Sequence, residues 1–140
     1  MERHAALNET LAEALFRPTP IWIPEIEEQR KRGVKFSGHA HITGGGMPGN
    51  IPRILPPHCK VIINQSRWLR PRIFPLIQER GAVADVEMNR VFNQGIMMVS
   101  IVHPSGELMN NPDAIPIGEV ARRKTADEPQ VELIGSYLDI

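Results

Sequence analysis

Three consecutive glycines, Gly44-Gly45-Gly46, constrain the fold of this chain more than any other feature. An alternating, strand-like run precedes them, and the proline-led run that starts at Met47-Pro48 has the pattern of a short helix. Glycine takes positive φ without steric cost, so the backbone can turn sharply between the two elements. Such a turn at a helix start aims unpaired N–H groups at one point, as in phosphate-binding loops. The alternative is a tight turn in which glycine only avoids a steric clash.

Length and charge set the class of protein. A chain of 140 residues with 41% hydrophobic and 23% charged residues has the composition of one globular domain. Its 16 basic and 16 acidic residues cancel, so no broad positive field attracts nucleic acid or anionic lipid. No apolar stretch approaches the roughly 20 residues that span a bilayer, and the N-terminus does not resemble a signal peptide. We expect a single cytoplasmic domain over 1–140, with 1–17 as a loosely packed arm.

Hydrophobic patterning predicts helices and strands that alternate first, with strands dominating later. Helices are predicted over residues 24–31, 47–55, 71–80 and 86–92, the last with Asp85 as its N-cap. Strands are predicted over residues 21–23, 35–43, 60–64, 96–102, 115–120 and 131–134. This order predicts an α/β (α+β) fold, with a mixed β-sheet and helices packed on it.

The residues around the glycines could complete a phosphate site. Asn50 and Arg53 lie three apart and share one face of a helix, so an amide and a guanidinium can join the backbone N–H groups. The pattern is neither a Walker A loop nor the dinucleotide G-x-G-x-x-G. The predicted phosphate- or substrate-binding residues of this segment are His41, Thr43, Gly44, Gly45, Gly46, Asn50 and Arg53.

Two histidines precede the glycines on the predicted strand. His39 and His41 stand two apart and so can face one side, but zinc needs a third and usually a fourth ligand. No acidic or cysteine spacing offers one, and Cys59 is the single cysteine. We therefore predict no metal site, and expect a histidine to cap the loop or to line a polar cleft. His41 is the better candidate because it is nearer to the loop.

A second segment, residues 87–95, has two interpretations. In one, Glu87 favours a helix N-terminus through the dipole, and the Asn/Gly pair caps its C-terminus. In the other, Asn93 and Gly95 lie in a cleft beside the glycine loop, which adds them to the predicted binding residues. Spacing alone does not decide between the two.

Several spaced motifs, in order, make the chain similar to phosphoribosylformylglycinamidine cyclo-ligases, also called aminoimidazole ribonucleotide synthetases. The resemblance runs from about Thr10 to Val102 and covers the later part of the C-terminal domain of that family. The motifs are residues 15–21, His41-Ile42-Thr43-Gly44-Gly45-Gly46, residues 50–56, Trp68, Ile73-Phe74, Glu87-Met88, Arg90, Phe92-Asn93 and Gly95, and a late strand at 117–120.

The resemblance implies purine biosynthesis and closure of an imidazole ring with ATP and Mg²⁺. It also places the Mg-ATP ligands in an N-terminal domain whose Asp-rich segment and lysine have no counterpart in this sequence. Gly49, Asn89 and Met97 depart from the family pattern, which has glutamate, tyrosine and glycine there.

Three functions remain open at this point. The first is a cyclo-ligase domain or fragment that needs a separate ATP-binding N-terminal polypeptide and binds a phosphoribosyl ligand. The second is a non-catalytic module that binds a phosphate or nucleotide, and the third is a homodimeric remnant of the domain, because an uncovered interface favours self-association. Under each of these three functions, we expect the chain alone to be catalytically inactive. We also expect it to form a homo-oligomer.

Overall fold

Short helices and short strands make up the described part of the chain. The computed structural model describes residues 3–104 and 114–139. Its helices are α1 (Leu11–Leu15), α2 (Ile23–Lys31), α3 (Gly46–Asn50), α4 (Ile73–Gly81) and α5 (Asp85–Val91), with 3-10 turns at Ile51–Ile54 and Gln65–Arg67. Its strands are β1 (Phe36–His41), β2 (Cys59–Asn64), β3 (Leu69–Arg70), β4 (Met98–Val102), β5 (Gly118–Arg122), β6 (Val131–Ile134) and β7 (Leu138–Asp139).

The strands form three small sheets. β1 and β4 make an antiparallel pair, and β3 and β7 make a parallel pair. In the third sheet β2 is central, with β5 antiparallel on one side and β6 parallel on the other. The α/β (α+β) class with a mixed sheet is therefore confirmed, although the strands are distributed over three sheets.

The hydrophobic core joins the β1–β4 pair to the sheet around β2. Alternate residues of β2, Val61 and Ile63, are buried together with Ile42, which directly follows β1. Ile51 in the 3-10 turn is fully buried, and each such side chain contributes about 1.5–3 kcal/mol relative to an exposed position. The indole N–H of Trp68 donates to the carbonyl of Gln94 over 3.0 Å. This bond links the segment between β2 and β3 to the segment after α5.

Helix α2 starts one residue earlier than predicted, and the strand predicted over residues 21–23 is wrong. Trp22 is the N-cap of α2 with φ −86° and ψ −6°, and Pro24 occupies its first turn. Proline suits that position because its missing N–H has no partner in a helix start. A strand also needs a neighbour to pair with, and no strand of the described part of the chain pairs with residues 21–23.

The helix predicted over residues 47–55 is divided. α3 ends at Asn50, and the chain continues as the 3-10 turn Ile51–Ile54, because Pro52 has no N–H to donate and its ring crowds the preceding turn. Asp85 is the first residue of α5 and not its N-cap, which is Ala84. The Asp85 carboxylate instead accepts a hydrogen bond from the Gln78 side chain.

The N-terminal arm makes local contacts and one distant hydrogen bond, from the Arg72 guanidinium to the Ala6 carbonyl, and it exposes apolar side chains. Thr10 and Glu13 form a capping box at α1, and Leu7 is buried. Phe16, by contrast, is 84% exposed. The extent of the domain and of this arm stays a prediction. Among the described residues, no helix has the length and apolar character that crossing a membrane requires.

Candidate functional site

The glycine loop packs closely against the end of α5. Gly45 and Gly46 have φ values of +100° and +59°, the left-handed region that favours glycine. A Cβ atom on Gly46 would lie 1.8 Å from the carbonyl oxygen of Asn89 and 3.1 Å from that of Phe92. The two sequence segments that carry the motifs therefore meet in space, and Gly46 permits their contact.

The Asn50 side chain donates hydrogen bonds to the backbone of the glycine loop. Its side chain is 3% exposed, and its amide nitrogen lies 2.8 Å from the carbonyl oxygen of Gly46 and 3.3 Å from those of Thr43 and Gly44. The backbone N–H of Gly46 donates to the carbonyl of Thr43 over 3.0 Å. The Asn50 amide is thus engaged within the loop, whereas the sequence suggested that it would complete a phosphate cradle.

A cavity of about 330 Å³ lies beside this loop. Four predicted residues meet at its wall, namely His41, Thr43, Asn50 and Arg53. The other wall residues are His39, Ala40 and Ile54. His41, Thr43 and Arg53 are exposed, so their polar ends are accessible from solvent.

Arg53 is the main charged group at the cavity. Within residues 3–104 and 114–139 its guanidinium makes neither an ion pair nor a hydrogen bond. The wall contains no carboxylate that would neutralise it. A planar guanidinium with five donors is suited to two-point recognition of phosphate.

His39 is fixed more firmly than His41. Its Nδ1 lies 2.9 Å from the Ser100 hydroxyl, and its ring centroid lies 4.7 Å from that of Phe36. An irregularity in the β1–β4 register between Phe36 and Gly38 brings these two rings to one side, which no strand periodicity predicts. Burial lowers the pKa of His39, and the positive charge of Arg30 lowers it further. Both effects favour the neutral form of the His39 imidazole at the cavity wall.

Asn93 and Gly95 are not among the wall residues. The Asn93 side chain accepts a hydrogen bond from the backbone N–H of Gly95 over 2.9 Å, and Gly95 has a φ of +97°. A Cβ on Gly95 would lie 2.5 Å from the Cδ of Pro71. The contacts of these two residues are those of a tight turn after α5, and their role in binding stays a prediction.

A second and larger cavity, of about 670 Å³, lies against the paired ends of β2 and β5. Its lining includes His58, Cys59 and Arg122, and no predicted site residue reaches it. We regard the smaller cavity as the candidate site because four residues of one sequence motif converge there. In the described ranges, no group of three or more His, Cys, Asp or Glu side chains is placed to hold a metal ion.

Comparison with known proteins gives a consistent family. The sequence model of the family described as "AIR synthase related protein, C-terminal domain" matches residues 2–127. The chain is 48% identical over 107 residues to a protein of Desulfitobacterium hafniense (strain DSM 10664 / DCB-2) named phosphoribosylformylglycinamidine cyclo-ligase, covering 74% of this chain and 30% of that protein. Proteins of the same name from Desulfatibacillum aliphaticivorans and Syntrophotalea carbinolica are 40% identical over 129 residues and 38% identical over 135 residues.

These last two alignments cover 87% and 91% of this chain, but only 37% and 38% of the relatives. The chain therefore spans about a third of the length of the curated relatives that it matches.

Proposed function

This chain belongs to the family of AIR synthase related proteins, as a C-terminal domain, and we propose that it forms the phosphoribosyl-binding part of a phosphoribosylformylglycinamidine cyclo-ligase. The relatives with that name support the reaction, and the cavity supports the part that this chain plays in it. The observation that carries the proposal is the meeting of His41, Thr43 and Arg53 at one cavity beside the glycine loop.

Arg53 binds the phosphate in this proposal. Its guanidinium has no competing carboxylate at the wall and can donate two parallel hydrogen bonds to phosphate oxygens. Thr43 and His41 offer a hydroxyl and an imidazole to the sugar. The volume of about 330 Å³ lies at the lower end of small-molecule sites, which suits a phosphosugar better than a complete nucleotide.

The residues at the cavity do not fit Mg-ATP. Mg²⁺ prefers carboxylate and phosphate oxygens, and the wall carries no Asp or Glu. The ATP and Mg²⁺ of the reaction would then be held by the N-terminal ATP-binding part of such an enzyme, as a separate polypeptide or in the same chain. The contribution of the described domain is to bind and orient the phosphoribosyl substrate, which places the reacting group for the chemical step.

Two further properties belong to the same proposal. A cytoplasmic location follows from the biosynthetic reaction. Association with a second copy is supported by exposed apolar side chains in the N-terminal arm and just after it, including Leu15, Phe16 and Ile21.

The test is binding of ribose 5-phosphate measured by isothermal titration calorimetry. We expect Arg53→Ala to weaken binding at least about tenfold, since a charge-assisted hydrogen bond is worth about 1.5–3 kcal/mol. The affinity of the Arg53→Lys protein should lie between those of the wild-type and Arg53→Ala proteins, because lysine keeps the charge but not the planar pair of donors. Arg80→Ala is the matched control, because Arg80 is an exposed arginine on α4 and remote from the cavity wall. Equal affinity of the Arg53→Ala and wild-type proteins would refute the proposal.

A non-catalytic phosphate-binding module is the second candidate, favoured by the wall without carboxylates. It predicts the same dependence of binding on Arg53. The two functions differ in whether the domain restores ring closure when it is combined with an ATP-binding N-terminal part.

A further inference from the structure

Tyr137, in the C-terminal segment, is fixed by three contacts with distant residues. Its ring meets the Trp68 ring edge to face, with 5.5 Å between the centroids, and the guanidinium carbon of Arg70 lies 4.8 Å from the Tyr137 centroid. Its hydroxyl donates a hydrogen bond of 2.6 Å to the side-chain oxygen of Asn89. Burial raises the pKa of Tyr137, so the phenol keeps its proton at neutral pH and acts as the donor.

Asn89 connects Tyr137 to the glycine loop. It lies on α5, and its carbonyl oxygen is the atom that a Cβ on Gly46 would approach to 1.8 Å. Gly46 therefore packs on the backbone of the same residue whose side chain Tyr137 holds. The Gln65 amide lies 3.5 Å from the Asn89 oxygen, at the limit of a hydrogen bond, so the Tyr137 hydroxyl is the main partner of that oxygen.

Gly46 in turn is bonded to two residues of the cavity wall. Its N–H donates to the Thr43 carbonyl over 3.0 Å, and its carbonyl accepts from the Asn50 amide over 2.8 Å. Thr43 and Asn50 line the cavity together with Arg53. A displacement of α5 would reach the wall through Gly46, because each contact in this route is direct and closely packed groups transmit small shifts.

The position of α5 depends on polar contacts more than on apolar burial. Met88 is the one buried side chain among its seven residues, and Val86 and Val91 are exposed. Two of its side chains form hydrogen bonds with other elements, namely Asp85 with α4 at its start and Asn89 near its end. The Tyr137 bond therefore fixes the end of α5 that contacts the loop.

We propose that Tyr137 is a positioning residue for the cavity beside the glycine loop. Through Asn89 it holds the end of α5 against Gly46, and this glycine in turn fixes the wall. Tyr137 does not line the cavity, and it lies beyond residues 2–127, which the family model matches. The proposal rests on the proposed function for the identity of the ligand, a phosphosugar.

Binding of ribose 5-phosphate to the full chain, measured by isothermal titration calorimetry, tests the effect on the ligand. Tyr137→Phe removes the hydroxyl and keeps the ring. We expect it to weaken binding at least about threefold, within the range that one hydrogen bond contributes to an equilibrium. Asn89→Asp keeps the acceptor oxygen and should bind like the wild type, whereas Asn89→Leu should match Tyr137→Phe. Combining Tyr137→Phe with Asn89→Leu should weaken binding no further, because both remove the same bond.

Amide hydrogen exchange followed by NMR tests the positioning without a ligand. In the Tyr137→Phe protein, we expect the Gly46 N–H to exchange at least about threefold faster, because the loop loses its support. The Ile42 N–H, which donates to the Met97 carbonyl over 2.8 Å, should keep its exchange rate. A general loss of stability would instead accelerate exchange at Gly46 and Ile42 alike.

Glu132→Ala is the matched control, since it removes a bond of 2.9 Å between β6 and Lys60 that does not involve α5. It should leave both affinity and exchange at Gly46 unchanged. Unchanged affinity of the Tyr137→Phe protein, an equal loss in the control, or additive losses in the double variant would overturn the proposal. If the wild-type protein binds no ribose 5-phosphate, the proposed function is wrong, and exchange at Gly46 alone then decides whether Tyr137 positions the loop.

Discussion

Gly46 and Gly44 look equivalent in the sequence, but their surroundings differ. A side chain at Gly46 would overlap the Asn89 carbonyl, and its φ of +59° disfavours any other residue. Gly44 has no atom within 4 Å of the position of a Cβ, and it is exposed. The glycine run therefore combines a packing requirement at its end with a position that tolerates a side chain at its start.

This difference predicts unequal effects of alanine substitution. We expect Gly46→Ala to destabilise the fold by about 3 kcal/mol or more, because it adds a backbone clash to an unfavourable φ. Gly44→Ala should change the free energy of unfolding by less than about 0.5 kcal/mol, as surface substitutions usually do. Urea denaturation monitored by Trp fluorescence measures both. Similar losses at the two positions would contradict the packing role of Gly46.

At the scale of elements, regular patterns were predictable and short pairings were not. Helix α2 and the strands β1, β2 and β6 lie within two residues of their predicted bounds, because each has a run of suitable residues with clear breakers. The two-residue strands β3 and β7 have no periodicity to detect. A long-range ion pair joins them: Arg70 on β3 is 6% exposed and bonds bidentately to Asp139 on β7 at 2.7 and 2.9 Å.

The C-terminal strand β7 is accordingly predicted to depend on this ion pair. The Arg70 guanidinium also bonds to Gln78 and lies over the Tyr137 ring, 4.8 Å from its centroid. Asp139→Ala should cost about 2 kcal/mol, less than a fully buried pair because the aspartate is 46% exposed.

Urea denaturation measures this loss, with Glu28→Ala as the control. That substitution removes an exposed ion pair with Arg32, the C-cap of α2, and should cost about 0.5 kcal/mol or less. Equal costs at the two sites would show that β7 is not held by Arg70.

At the scale of the whole molecule, three predicted binding residues, His41, Thr43 and Arg53, line one cavity, and none of the described residues of its wall is Asp or Glu. The alignments cover only 30–38% of the curated relatives, and the matched family is that of a C-terminal domain. On the proposed function, any activity of this chain should depend on a part that holds ATP.

We expect the purified chain to produce no ADP above background from ATP, Mg²⁺ and phosphoribosylformylglycinamidine. Addition of the unmatched two-thirds of the Desulfitobacterium relative should give ADP formation above background. A coupled assay for ADP measures both conditions, and the relative's part alone is the control. ADP formation by this chain alone would contradict the expectation.

The sequence by itself determined the family, the α/β class and the segment that carries the candidate site. These follow from local patterns, since glycine, proline and alternating apolar residues limit the backbone wherever they occur. Only the tertiary structure decided that the Asn50 amide is used inside the loop. It also decided that, among residues 3–104 and 114–139, Arg53 has no ion-pair partner and β1 pairs with β4 alone. Those properties depend on which distant segments meet, and a free edge or an unmatched charge is defined by neighbours that no local pattern specifies.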